Sequence, residues 1–162
     1  MFDQLGGLLN KENITLLLAV WGALLATYKV VSDYRKNIRR IKVVLSYGFH
    51  SQGDNVGPSV ITSKAVNMGS REVTLNSVGY ILPDGKKAII IEPQSNVSFP
   101  HSLSEGKDCY VWKEQRKWAE ELRKHGYSGK IKIKGYYGSN TEAIFKSKPI
   151  DFDIESTLSS KG

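Results

Sequence analysis

The sequence predicts a mainly β protein: an N-terminal transmembrane α-helix followed by a seven-stranded Greek-key β-sandwich that carries one short helix. Three observations predict this. Residues Ile14–Val31 form an apolar run whose only charge, Lys29, lies close to one end. Beyond residue 41 the hydrophobic period drops toward two, the spacing of half-buried strands. Turn-forming residues then interrupt the apolar runs at regular intervals, as in a sandwich. The 162 residues, 40% hydrophobic and 24% charged, have an ordinary globular balance and room for one modest domain. The expected organisation is a short extracytoplasmic N-terminus at 1–13, a transmembrane helix at 14–31 and a basic juxtamembrane helix at 32–41. The β-sandwich follows at 42–153, and a polar, frayed tail at 154–162.

The first element reads ITLLLAVWGALLATYKVV. Eighteen helical residues span about 27 Å, just enough for a hydrocarbon core of ~30 Å. Nine of them are Leu, Ile or Val, and each favours insertion by roughly 0.3–0.6 kcal/mol near the bilayer centre. Lys29 sits near enough to the end to snorkel toward headgroups. The membrane-facing residues are Leu16, Leu17, Leu18, Trp21, Leu24, Leu25 and Tyr28. A cleaved signal peptide fits less well, because Asp3 occupies the expected basic region and Leu24-Leu25-Ala26 puts a large residue where a small one is needed. Ala19, Gly22, Ala23 and Ala26 share one face, where small residues let helix backbones approach; homo-oligomerisation through the helix is the corresponding expectation.

Charge then sets orientation. The formal charge is +7, but residues 32–42 alone hold +4 of it, from Arg35, Lys36, Arg39, Arg40 and Lys42 against Asp33. A charge so concentrated argues for anionic lipid headgroups as the partner and makes nucleic acid an unlikely one. The positive-inside rule places the C-terminal domain in the cytoplasm, under a single-pass inner-membrane anchor. The lone Cys109 suits a reducing compartment and excludes an intrachain disulfide or a cysteine-built zinc site. Val31, Tyr34, Ile38 and Ile41 fall at helical spacing, which predicts that the helix continues past the membrane to residue 41.

Within the domain, Ile41, Val43, Leu45 and Tyr47 alternate with Lys42, Val44 and Ser46 as a first strand. A loop is expected at Gly53–Pro58, a second strand at Val60–Asn67, and a turn at Met68–Arg71. Val73–Leu82 is long and apolar enough for a central strand. Pro83-Asp84-Gly85 is a strong turn signal, followed by a strand at Lys87–Ile91. Val97–Phe99, bracketed by Pro93 and Pro100, reads as a short edge piece, and Asp108–Trp112 as a further strand. Lys113–His125 changes the period: Trp118, Ala119 and Leu122 lie on one helical face, and Gly126 stops it. Lys130–Tyr137 and Glu142–Lys148 are the last two strands. The predicted core is Val43, Leu45, Val66, Val73, Leu75, Val78, Ile81, Ile89, Ile91, Val111, Ile131, Ile133, Ile144 and Phe145.

Asn67-Met-Gly-Ser-Arg-Glu-Val-Thr-Leu, Val78-Gly-Tyr and Leu82-Pro-Asp-Gly-Lys resemble a pattern in small bacterial membrane-anchored proteins of unknown function. Those have one N-terminal span, a basic stretch and an immunoglobulin-like or fibronectin type III-like sandwich. The resemblance covers most of residues 14–150. It implies a fold and an anchor, and it transfers no catalytic residue.

Chemistry is sparse in the sequence. His50, His101 and His125 show no metal-ligand spacing, and neither a phosphate-binding glycine loop nor a nucleophile elbow is present. The expectation is therefore a protein without catalysis and without cofactor. One surface motif could bind a ligand or partner: Lys130, Lys132 and Lys134 on one strand face, with Tyr136 or Tyr137 beside them, since cations and aromatics suit phosphates and stacked bases. The same lysines also serve simply to discourage edge pairing. The leading functional expectation is a membrane-anchored cytoplasmic module that binds an unknown protein partner. The alternatives are an oligomeric membrane effector of defence type that senses a nucleotide or other phosphorylated signal, and an extracytoplasmic adhesion domain.

Overall fold

The computed structural model describes residues 11–36, 38–52 and 55–160. The chain divides into two compact units, Met1–Ile38 and Arg39–Gly162. The first contains helix α1, Lys11–Lys36. Its stretch Asn13–Tyr34 is long and apolar enough to cross a membrane, with a mean hydropathy of 1.9 and none of its most apolar window buried. All backbone groups of such a helix bond within the segment, so its side chains are free to face an apolar solvent. Even Thr27 is satisfied internally, its hydroxyl donating to the Ala23 carbonyl at 2.8 Å.

The second unit holds ten strands among the described residues: β1 (Ile41–Gln52), β2 (Asn55–Asn67), β3 (Val73–Ile81), β4 (Lys87–Ile89), β5 (Gln94–Ser95), β6 (His101–Leu103), β7 (Asp108–Glu114), β8 (Lys130–Ser139), β9 (Ile144–Lys146) and β10 (Ile150–Asp153). Two short helices complete it, α2 (Gln115–Lys124) and α3 (Ile154–Ser159). One sheet runs β1-β2-β7-β5 and the other β10-β8-β3-β4, with β6 also on β3 and β9 also on β8. Every pairing is antiparallel. Val43, Ala65 and Val111 from the first sheet meet Leu75, Val78 and Tyr137 from the second in one core cluster. A second cluster packs Trp118, Ala119 and Leu122 of α2 onto Ile61, Tyr80 and Ile133.

Several boundaries differ from expectation. The juxtamembrane helix does not reach residue 41: α1 ends at Lys36 and β1 begins at Ile41. Ile41 satisfies both periodicities, but strand pairing opposite Asn67 and burial beside Val43 win over the helical stripe. Lys42 thus lies on a strand. The loop expected at 53–58 shrinks, because Val56, Gly57 and Pro58 extend β2; Gly53 and Asp54 lie outside the described residues, as do 1–10 of the expected N-terminal segment. Gly57 is required there, since a Cβ would stand 2.2 Å from the His50 carbonyl oxygen.

Elsewhere, Val97–Phe99 is not a strand, and β5 and β6 lie on either side of it. Residues beyond Asp153 are not a frayed tail up to Ser159. Asp153 caps α3 by accepting from the Ser156 amide at 3.0 Å, and Ile154 is fully buried. Of the expected core, Val43, Leu45, Val73, Leu75, Val78, Val111 and Ile133 are buried, whereas Ile89, Ile91 and Ile144 are exposed. Tyr80, Tyr137, Leu103 and Phe152, outside the expected core, are buried.

Candidate functional site

Three surface regions carry the residues singled out by sequence. On α1, Leu16, Leu17, Leu18, Trp21, Leu24, Leu25 and Tyr28 are all exposed, by 55–74%. Ala19, Gly22, Ala23 and Ala26 are exposed too, and a Cβ on Gly22 would meet nothing within 4 Å. Arg35 and Lys36 form the last turn of the helix.

The second region is the end of the β domain where the chain runs into β1. Its centre is Asn67, wholly buried. Its side-chain amide donates to the carbonyls of Arg71 at 2.7 Å and Leu103 at 2.8 Å, and its side-chain oxygen accepts from the Gly69 amide at 2.9 Å. Its backbone bonds to Lys107 and Gly106, at 3.0 and 2.9 Å. One side chain therefore ties the 68–72 turn to the 104–107 turn. The incoming strand is fastened to the same place, as the Met68 amide donates to the Arg40 carbonyl at 2.7 Å. Arg39 donates to the Thr141 hydroxyl at 2.9 Å. These bonds bring Arg39, Arg40, Arg71 and Lys107, distant in sequence, to one end of the domain.

The lysine strand reads differently once folded. Lys130, Lys132 and Lys134 are exposed on β8, as alternation requires. However, Asp153 stands opposite Lys130 and Asp151 opposite Lys132 in the β8–β10 ladder, and the Lys130 ammonium lies 3.5 Å from the Asp151 carboxylate. Cross-strand opposite charges are a stabilising pair, and they offset part of the charge of the lysine face, with Lys134 opposite no acid in this ladder. Tyr136 and Tyr137 offer no stacking platform. They are 3% and 0% exposed, and the Tyr137 hydroxyl donates to the Ser63 carbonyl at 2.7 Å inside the core. Burial pushes the Tyr137 phenol well above its ordinary pKa. Alternation accounts for Tyr137 alone: Tyr136 shares the register of the lysines, yet residues 135–139 are buried on both faces of β8.

A fourth region was not legible in the sequence. Near the end of the β1–β2 hairpin, Phe49 and Val56 are 70% and 79% exposed, with Tyr47 half-exposed behind them. Clefts flank this tip on both sides. One, of about 690 Å³, is walled by His50, Pro58, Pro93, Trp112 and Glu114. The His50 and Trp112 rings stack there at 5.7 Å, inclined by 16°. The other, of about 940 Å³, lies among Tyr47, Phe49, Val56, Asp151 and Thr157. Tyr47 donates its hydroxyl to the Asp151 carbonyl, and burial, then the Asp151 charge, raises its pKa. Exposed apolar side chains gathered beside aromatic walls mark contact surfaces. The only sequence signal was Tyr47 in an alternating strand; that β2 would run through Gly57-Pro58 was hidden by their turn-like composition.

Other reactive groups are quiet. Cys109 is buried, and burial, then the Asp108 carboxylate, pushes its thiol pKa up to about 11, so it stays protonated at neutral pH. Among the described residues no cluster of His, Cys, Asp or Glu could hold a metal ion.

No protein-family model matches the chain. No curated protein matches it either. Among solved structures, a Bordetella pertussis protein carrying the provisional name ApaA is similar at 9% identity and a TM-score of 0.40, covering 71% of this chain and 94% of its own. A structural-genomics target, SoR45, is similar at 14% identity and a TM-score of 0.38, covering 78% of this chain and 95% of its own.

Proposed function

We propose that the chain is a single-pass inner-membrane protein whose cytoplasmic, immunoglobulin-like β domain binds a protein partner through the tip of the β1–β2 hairpin. The supporting observation is the pairing of an exposed apolar helix with a β domain whose core clusters draw on residues 41–158 alone. A helix of this composition, exposed among the described residues, suits lipid. The basic residues after it suit the cytoplasmic leaflet. β1 is 12 residues long, so its tip stands roughly 35–40 Å along the strand from its start, well clear of the end attached to the anchor. Phe49, Val56 and the aromatic cleft at His50 and Trp112 are then presented away from that attachment, where an extended peptide or a loop of another protein could lie against them.

The test uses the full chain in spheroplasts with a photoreactive residue at position 49 or 132. Protease should leave the β domain intact until the membrane is opened, and light should trap a protein at position 49 but not at 132. Digestion in intact spheroplasts would overturn the cytoplasmic placement. Equal trapping at both positions would overturn the hairpin as the contact surface.

A further inference from the structure

We infer that the end of the β domain centred on Asn67 is itself a binding surface for anionic phospholipid headgroups, built from Arg39, Arg40, Arg71 and Lys107 around the exposed Met68. The inference rests on the membrane-anchor reading and adds to it a site within the folded domain.

Its first support is convergence. Arg71 and Lys107 lie in separate turns, yet both turns hydrogen-bond to the one buried side chain or backbone of Asn67. Arg40 joins them through the Met68 amide, and Arg39 through Thr141. The bonds fix the backbones that carry Arg40 and Arg71, and a guanidinium suits phosphate because it offers paired donors. Met68 stands among them, 57% exposed, on the turn that Asn67 ties down. An apolar, flexible side chain surrounded by cations is the composition of a headgroup-facing surface, with the apolar part reaching toward the acyl boundary.

The second support is charge availability. Arg39, Arg40, Arg71 and Lys107 make no ion pair among the described residues. The same end also carries acidic groups, and these are partly engaged. Asp108 pairs with Lys64, and Glu72 accepts from the Ser104 hydroxyl at 3.0 Å; Glu105 and Glu142 remain. The Ser104 bond leaves the Glu72 charge in place, so four cations face three unpaired carboxylates, Glu72, Glu105 and Glu142, and the surface is weakly cationic and sensitive to salt.

The third support is the covalent tether. Four residues lie between Lys36 and Ile41, a reach of at most about 18 Å. A free phosphate or a nucleotide would need affinity sufficient to bind from dilute solution. A bilayer surface is supplied at that short distance by the anchor itself, and multivalent contact with it gains from the high effective concentration.

The experiment places the full chain in nanodiscs of phosphatidylcholine, with and without phosphatidylglycerol. A fluorophore on Ser70→Cys, beside Met68 and Arg71, is read against a quencher carried on lipid headgroups; the buried Cys109 stays unlabelled. Each cation near an anionic surface favours docking about fivefold, so the pair Arg71→Glu and Lys107→Glu should lower the docking equilibrium constant by twentyfold or more. The expected result is strong quenching only in anionic discs, lost with that pair at an unchanged melting temperature, and no quenching of a label at Phe49→Cys. A chain that does not enter discs at all overturns the anchor reading. A chain that enters them with Ser70 unquenched, or quenched equally in neutral discs, overturns the headgroup surface and leaves the anchor standing. If the charge pair lowers the melting temperature, Arg71→Gln with Lys107→Gln gives the same comparison, and retained quenching with it overturns the assignment.

Discussion

Leu18 and Leu75 carry the same side chain into opposite surroundings. Leu75, on the central strand β3, is fully buried between the two sheets, whereas Leu18, in the N-terminal third of α1, is 67% exposed. The contrast extends to tyrosine: Tyr137 is fully buried with its hydroxyl bonded to Ser63, and Tyr28 is 74% exposed. In the β domain, alternation lets one face of each strand supply the core while the other stays polar. In α1 the apolar residues surround the axis, so no arrangement of the helix buries them all against one neighbour. Hydrophobicity alone thus does not say where a residue goes; its period decides.

The same substitution in both regions tests this most strongly. Leu75→Ala should cost the domain about 4 kcal/mol, through lost burial and a residual cavity, and lower its melting temperature by roughly 15 °C. Leu18→Ala should leave that melting curve where it is and weaken membrane insertion by less than about 1 kcal/mol. Circular dichroism of the full chain in detergent, with flotation of membranes for insertion, reads both effects. A comparable loss of melting temperature from Leu18→Ala would mean that the two regions share a core.

The tyrosine pair refines the comparison at smaller magnitude. Tyr137→Phe removes the donor to the Ser63 carbonyl and should destabilise the domain by about 1–2 kcal/mol, because the acceptor is left in a dry interior. Tyr28→Phe should leave the domain's denaturation midpoint unchanged. An unaffected midpoint in Tyr137→Phe would show that the buried hydroxyl contributes nothing net.

Periodicity also explains how much was legible beforehand. β1, β3, β7, α2 and β8 were readable because each repeats its pattern over five residues or more and ends at a recognisable turn. β5, β6 and β10 are two to four residues long, too short for a period to register, and α3 hides among serines and threonines. The lysines of β8 were placed on the right face, but the partial offset of their charge depended on Asp151 and Asp153 in a strand that the sequence did not announce. Tyr136 and Tyr137 were misplaced because proximity to a cationic run was read as exposure. The Asn67 centre was invisible for another reason: an asparagine before a turn is common, and only the folded chain brings Leu103 and Lys107 to it. Long-range pairing, rather than local propensity, makes both the lysine face and the Asn67 end what they are.

The smallest effect lies at a turn the sequence did announce. Asp84 in Pro83-Asp84-Gly85 accepts from the Tyr127 hydroxyl at 2.7 Å and lies 2.9 Å from the Lys86 ammonium. The Tyr127 bond first, and Lys86 second, lower its carboxyl pKa from 3.8 to about 2. A depressed folded-state pKa stabilises the domain above the unfolded value, so this contribution is complete at neutral pH. It begins to fade below about pH 4 and is gone once the pH has passed through the folded value. The carboxylate is fully solvated, so the gain is small and falls within the range of surface pairs. Tyr127→Phe should move the Asp84 titration up toward its ordinary range, followed by carbon NMR of the carboxyl group, and Lys86→Ala should move it less. A larger shift from Lys86→Ala would reassign the tether from hydrogen bond to charge. An Asp84 midpoint unmoved by either change would mean that the β3–β4 turn is not held to Tyr127 in solution.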